Sequence, residues 1–303
     1  MALVQDAVSF VDTGGVEYPQ LYQQVIELTE PAIKLKQLLI DDPILVGRTA
    51  TYIKEQGTRA TAITQTAEGT EIPMDFTQLG YVTVTPYKVA IRERISRENL
   101  EDLRPVIIQS QLRRLARRMA YTVDKDVETT INSGAGNTFA TTGTTIAYTG
   151  ASVTIASTIG VNDITQAKYL LENNSVIADS FLLNPIQAND LSRLPQFASQ
   201  DIFGKSVYKE GLGWEKNATD GVFGLKFYIS PVVRAGTSYI LSTGQNLSAA
   251  YSPLGFFSLK RPLMVDVDFK KDYDSFDVVS SMRYSPVITY GDSIVSITGG
   301  RTS

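Results

Sequence analysis

Apolar residues at Ile108, Leu112, Leu115, Met119, Val123, Val127 and Ile131 fall mostly three or four positions apart, which gathers them into one stripe of an α-helix. Pro105 suits the first helical position, where its missing N–H costs nothing. Beyond Asn132, Ser133-Gly134-Ala135-Gly136 removes helix propensity and offers a glycine stop. The pattern predicts a helix within residues 96–132 with its core at 105–131, roughly 40 Å long at about 1.5 Å per residue. Its other face carries Arg113, Arg114, Arg117 and Arg118, then Lys125. On periodicity alone this is a core helix with a solvated basic face.

The flanking patterns are of other kinds. Residues 1–16 are small and polar and read as a mobile arm. Pro19 opens a short amphipathic helix with Leu21, Tyr22, Val25, Ile26 and Leu28 on one side. After Pro31 a second piece carries Ile33, Leu35, Leu38 and Leu39. Helices placed ahead of any domain need a surface to lie on, either their own core or a neighbouring subunit. Residues 48–95 turn Thr-rich and strand-like, with a polar turn cluster at 65–73, and read as a long two-stranded hairpin. An isolated hairpin is marginal in water, so another surface must support it.

After the long helix, residues 137–160 read as strands with weak turns. Asn162 or Asp163 caps a helix that ends near Asn173-Asn174, residues 180–184 form a short buried strand, and Pro185 opens another helix. This order suggests an α/β region. Residues 195–224, with Phe203, Lys205 and Trp214, are too long for a plain connection and form either a functional loop or an unstructured one. Strands follow at 227–230, 239–241, 247–251, 263–269, 276–284 and 294–297.

Composition narrows the chemistry. The 303 residues are 43% hydrophobic and 20% charged with a net charge of −4, values of an ordinary globular chain. There is no cysteine and no histidine. That removes disulfides, thiol nucleophiles, His-dependent triads and imidazole or thiolate zinc sites. No phosphate-binding glycine loop is present. Asp266, Asp268, Asp272 and Asp274 lack the spacing of a calcium loop and read as solvated strand ends. Asp124, Asp126 and Glu128 sit where positions i and i+2 do not share a helix face, so they make a poor catalytic carboxylate pair. A carboxylate-based enzyme would need two carboxyls facing a cleft, and none declares itself. The arginine row is the strongest electrostatic feature, and its contact with nucleic acid would be phosphate-directed and sequence-blind. The first ten residues hold Asp6 and no basic region before an apolar run, so no signal peptide is expected, and no stretch reaches the ~18 apolar residues of a membrane span. A protein soluble and intracellular at synthesis, with no membrane partner, is the expectation.

Several local pieces share one order. Glu68-Gly69 and Pro73 lie in the hairpin and precede the strand at 82–91. Ile95-Ser96-Arg97-Glu98-Asn99-Leu100-Glu101-Asp102 leads into the long helix, and Val123-Asp124-Lys125-Asp126 with Ile131-Asn132-Ser133-Gly134 leads out of it. Phe181-Leu182-Leu183-Asn184-Pro185 joins strand to helix, and Met282-Arg283-Tyr284 with 293–297 closes the chain. In this order the sequence resembles the major capsid proteins of tailed bacteriophages, the fold named after bacteriophage Hong Kong 97 and shared with encapsulin nanocompartments. The resemblance implies an α+β fold with an N-terminal arm (1–47), an extended hairpin loop (48–95), a peripheral domain with the spine helix (96–160 and 262–303) and an axial domain (161–261).

It further implies a non-enzymatic structural protein, without cofactor, that self-assembles through hexamers and pentamers into an icosahedral shell around double-stranded DNA. An encapsulin-like compartment is the alternative. The implied partners are itself, packaged DNA bound non-specifically, and scaffold, portal or decoration proteins; a separate scaffold is expected because no large scaffolding segment precedes the arm. The implied surfaces are a nucleic-acid-facing row (Arg113, Arg114, Arg117, Arg118) and an inter-subunit hairpin tip (Thr66, Glu68, Gly69, Thr70, Glu71). An inter-subunit arm (Leu21, Tyr22, Val25, Leu28) and an axial loop (Phe203, Lys205, Trp214) complete the set. The implied location is the virion capsid, assembled in the host cytoplasm.

Overall fold

A computed structural model of the chain describes residues 33–44, 47–56, 78–96, 105–141, 144–148, 151–155, 158–174, 176–192, 194, 224–243 and 254–302. The readings made for Leu21, Tyr22, Val25 and Leu28, for Thr66 to Glu71, for the strand at 247–251, and for Phe203, Lys205 and Trp214 lie outside these residues.

Helix α1 (Pro105–Gly134) is the long helix, two residues beyond the expected end. Leu112, Leu115, Met119, Val123, Val127 and Ile131 are all buried, as their spacing requires. The stripe is used in two halves. Leu112, Leu115 and Ala116 pack with Ile95, Val265 and Val278. Met119, Val123, Val127 and Ile131 join a second cluster with Leu182, Tyr239, Leu241, Met282, Tyr284 and Ile294.

Those partners come from two sheets. The first is four-stranded. Strand β4 (Tyr87–Ser96) pairs antiparallel with β12 (Ser275–Ile288), β12 antiparallel with β11 (Gly255–Lys270), and β11 parallel with β1 (Ile40–Pro43). The second runs β5 (Asn137–Ala140), β13 (Ile294–Thr298), β10 (Ser238–Leu241), β8 (Ser180–Leu183), β9 (Lys226–Ile229) and is mixed in direction. Its inner strand β8 is buried on both faces, which explains the unbroken apolar run Phe181-Leu182-Leu183. Phe181 and Leu183 pack in a cluster with helices α2 (Val161–Asn173) and α3 (Pro185–Ser192), while Leu182 packs with α1. Strands β6 (Thr144–Tyr148) and β7 (Ala151–Ile155) form a separate ribbon.

Several expectations change in detail. The hairpin is β2 (Ala50–Gln56) paired with β3 (Gln78–Val84) alone. The chain leaves it at Thr85-Pro86, because proline has no N–H for a ladder, and β4 joins the four-stranded sheet. Strands β5 and β13 lie in the five-stranded sheet with β10, β8 and β9, so residues from both sides of 160 and of 262 share one sheet. The cap of α2 is Gly160, and Asp163 lies at the third helical position with its carboxylate accepting the Gly160 N–H at 2.9 Å. Asn184 caps α3: its Oδ1 accepts the Ile186 N–H at 3.0 Å, while its Nδ2 donates to the Val233 carbonyl at 2.7 Å. Finally, the end of the expected arm packs on its own chain. Leu35, Leu38 and Leu39 are buried in the α1 cluster, and β1 adds an edge strand.

Candidate functional site

The three carboxylates near the end of α1 tie it to four other elements. Asp124 accepts the backbone N–H of Leu35 (2.9 Å) and of Lys34 (3.1 Å), which fixes the turn Leu35–Leu38 against the helix. Asp126 accepts the Tyr284 hydroxyl of β12 (2.6 Å) and the Tyr87 hydroxyl of β4 (2.9 Å). Glu128, 1% exposed, accepts the Tyr239 hydroxyl of β10 (3.1 Å) and the Lys125 ammonium (3.0 Å). The same offset that disqualifies them as a catalytic pair aims them in different directions, so one helix fastens both sheets and the turn.

The electrostatics are those of a clamp. Burial, opposed by the Leu35 and Lys34 N–H groups, pushes the Asp124 carboxyl above its ordinary range. Burial, reinforced by donation to a carboxylate, pushes the Tyr284, Tyr87 and Tyr239 phenols well above theirs. A phenol held protonated is a fixed donor, not a base. The sequence signal that could have found this clamp was the alternation Asp124, Asp126, Glu128 interleaved with the stripe residues Val123 and Val127.

The opposite side of α1 is different. Arg113, Arg114, Arg117 and Arg118 are all exposed. Arg114 ion-pairs with Glu93 of β4. Among the described residues no carboxylate pairs with the other three arginines. They rim a groove of about 940 Å³ between α1 and β4, floored by Val89, Ile91 and Met119. Lys125 does not extend the row, because it turns back to Glu128.

The hairpin also has two faces. Tyr52 and Val84 are buried against Val287; the Tyr52 ring stacks on Phe256 at 4.5 Å. The Tyr52 hydroxyl donates to Asp42 at 2.6 Å and lies 2.5 Å from Ser258 Oγ. Burial, then this donation, raises its pKa to about 12. The hairpin base is therefore supported by its own chain. On the other face, Ile53 and Tyr81 stand directly opposite each other and are 61% and 67% exposed.

Among the described residues no group of His, Cys, Asp or Glu is arranged to hold a metal ion. Nor is any helix among them long and apolar enough to cross a membrane.

A family model described as "Phage capsid protein" matches residues 80–292. No curated protein matches the sequence. Among solved structures, a Mycobacterium phage Che8 protein is 12% identical with a TM-score of 0.62, over 89% of this chain and 92% of that one. The capsid of cyanophage P-SCSP1u is 14% identical with a TM-score of 0.62, over 88% and 87%. The virus-like particle of Pyrococcus furiosus is 12% identical with a TM-score of 0.57, over 92% and 98%. At such identities these likenesses speak for the fold.

Proposed function

The chain belongs to the phage capsid protein family, and from that premise we propose how it builds a shell. It is a structural, non-enzymatic component of the virion capsid. The proposed shell is icosahedral, built from hexamers and pentamers of this chain around double-stranded DNA. The observation that carries the assembly reading is the hairpin, whose base is held by Tyr52 while the Ile53–Tyr81 pair stays bare. Large apolar side chains exposed as a matched pair favour a protein partner. A neighbouring copy is that partner, and the hairpin tip at Thr66, Glu68, Gly69, Thr70 and Glu71 reaches farther along the same neighbour. Many modest contacts made together then hold the shell.

The other surfaces follow from this reading. The arm residues Leu21, Tyr22, Val25 and Leu28 serve an adjacent subunit, and Phe203, Lys205 and Trp214 lie near the symmetry axis of a capsomer. The divisions at 47, 95, 160 and 261 serve as a working domain scheme. Arg113, Arg117 and Arg118, without carboxylate partners among the described residues, face the packaged DNA and neutralise phosphates without reading sequence. Scaffold, portal and decoration proteins are further partners. The likeness to the Pyrococcus virus-like particle favours a compartment without a genome as the second reading.

Electron microscopy of the purified protein, joined to hydrogen exchange on subunit and particle, tests the proposal. Closed shells are expected, with amides of β2 and β3 beyond the base held by Tyr52 and Val84 exchanging fast in the subunit and slowly in the shell. Equal exchange in both states would overturn the inter-subunit role of the hairpin. Particles that never hold nucleic acid would favour the second reading.

A further inference from the structure

Three cations stand in one row across the four-stranded sheet. In β12, Met282 and Tyr284 pack with α1, so strand alternation puts Arg283 on the opposite face. Arg283 is in register with Arg261 of β11 and with Lys88 of β4. Like charges directly opposite one another destabilise a sheet. Elsewhere on this face the charges are matched: Arg94 and Arg92 meet Asp277 at 2.8 and 3.5 Å. In the row they are not. Arg261 Nη2 donates to Ser281 Oγ at 2.8 Å and Arg283 Nη2 to the Pro86 carbonyl at 3.4 Å, both neutral. The Nε atoms of both arginines are buried without a hydrogen-bond partner. Asp42, beside Ser258 and one row on, accepts the Tyr52 hydroxyl. No carboxylate among the described residues pairs with Lys88, Arg261 or Arg283.

We propose that Lys88, Arg283 and Arg261 form a carboxylate-binding site for a second copy of this chain, filled by the acidic hairpin connection at residues 57–77. This rests on the reading that the hairpin serves a neighbour. Charge selects the occupant: in that connection Glu68, Glu71 and Asp75 outnumber the single basic residue, Arg59. Packaged DNA is not the occupant, because the arginines assigned to it belong to α1, on the other side of the sheet. Guanidinium groups suit the role, since their planar donors match carboxylates two by two. The row lowers subunit stability until the neighbour arrives, which couples charge neutralisation to assembly.

The test compares Lys88→Glu, the pair Arg261→Gln with Arg283→Gln, and the pair Glu68→Lys with Glu71→Lys, all in the full chain. Subunit melting and sedimentation across a concentration series are the readouts. The Lys88→Glu subunit and the arginine double variant should melt at or above the wild-type temperature, as relief of like-charge repulsion requires. Each of the three should need about tenfold or more protein to assemble. Joining Lys88→Glu, Arg261→Gln and Arg283→Gln to the Glu68→Lys, Glu71→Lys pair leaves an acidic row facing a basic connection and should restore assembly. Unchanged assembly in the row variants, or no rescue by the charge exchange, overturns the site. Lys88 is exposed, so its variant informs even where the arginine pair folds poorly. Should the hairpin be protected in shells while the exchange has no effect, this site fails and the assembly reading survives. Should the hairpin show no protection in shells, the assembly reading itself fails.

Discussion

Asp124 offers a sharp test of how the arm end is fastened. The side chain is 4% exposed and accepts two backbone N–H groups, those of Leu35 and Lys34. Asp124→Ala strands both donors beneath the buried Leu35 and Leu38. An unsatisfied buried donor costs about 1–3 kcal/mol, so the pair predicts a loss of about 2–6 kcal/mol. Asp124→Asn keeps one acceptor oxygen and removes the buried charge. Because the folded carboxyl is raised, burial outweighs those hydrogen bonds for the charged form, and the Asn variant should stay within about 1 kcal/mol of wild type. The pH dependence has a definite sign. A folded pKa above the unfolded value gives a contribution fully present below the unfolded value of about 3.9 and lost as pH rises through the folded one. Wild type should therefore gain on Asp124→Asn as pH falls from neutrality into that window. Urea unfolding of the unassembled subunit at several pH values reads all of this. Equal losses in the Ala and Asn variants, or an Ala loss below about 0.5 kcal/mol, would refute the acceptor argument.

The other outcomes are more direct. Deleting residues 1–30 should leave a folded subunit that assembles poorly, whereas deletion through 42 should also lower the melting temperature, since Leu35 and Leu38 belong to the core and each costs about 2–5 kcal/mol when truncated. Changing Arg113, Arg117 and Arg118 together to Gln should leave shells intact but reduce retained nucleic acid, read by absorbance ratio of purified particles; unchanged retention would show the face to be merely solvated. Ile53→Ser with Tyr81→Ser should leave subunit melting within about 0.5 kcal/mol, as for exposed sites, while weakening assembly measured by light scattering. The Arg94 guanidinium holds the Asp277 carboxyl below its usual range, so its contribution is present above the unfolded value of about pH 4 and lost as pH falls through the folded one; Asp277→Asn should flatten that acid limb in a pH series of melts.

Much of the architecture was written locally. The period of Leu112, Leu115, Met119, Val123, Val127 and Ile131 demanded one long helix with a buried stripe, and Pro105 and Gly134 mark its bounds. Asn184-Pro185 announced a capped helix because both residues act within one turn. The absence of His and Cys removed most catalytic chemistry by composition alone. What the sequence could not specify was which element each polar group meets. Asp124, Asp126 and Glu128 look alike on paper, yet one holds a turn some ninety residues away, one joins two strands through tyrosines, and one reaches the other sheet. The split of the hairpin from β4 at Pro86 depended on β12 arriving from the far end of the chain. The row Lys88, Arg283, Arg261 exists only through register, because a slip of one residue would send each side chain to the other face. Local periodicity fixes elements because it acts through neighbouring backbone bonds, while partners at long range are chosen by packing, and packing is settled only in the folded chain.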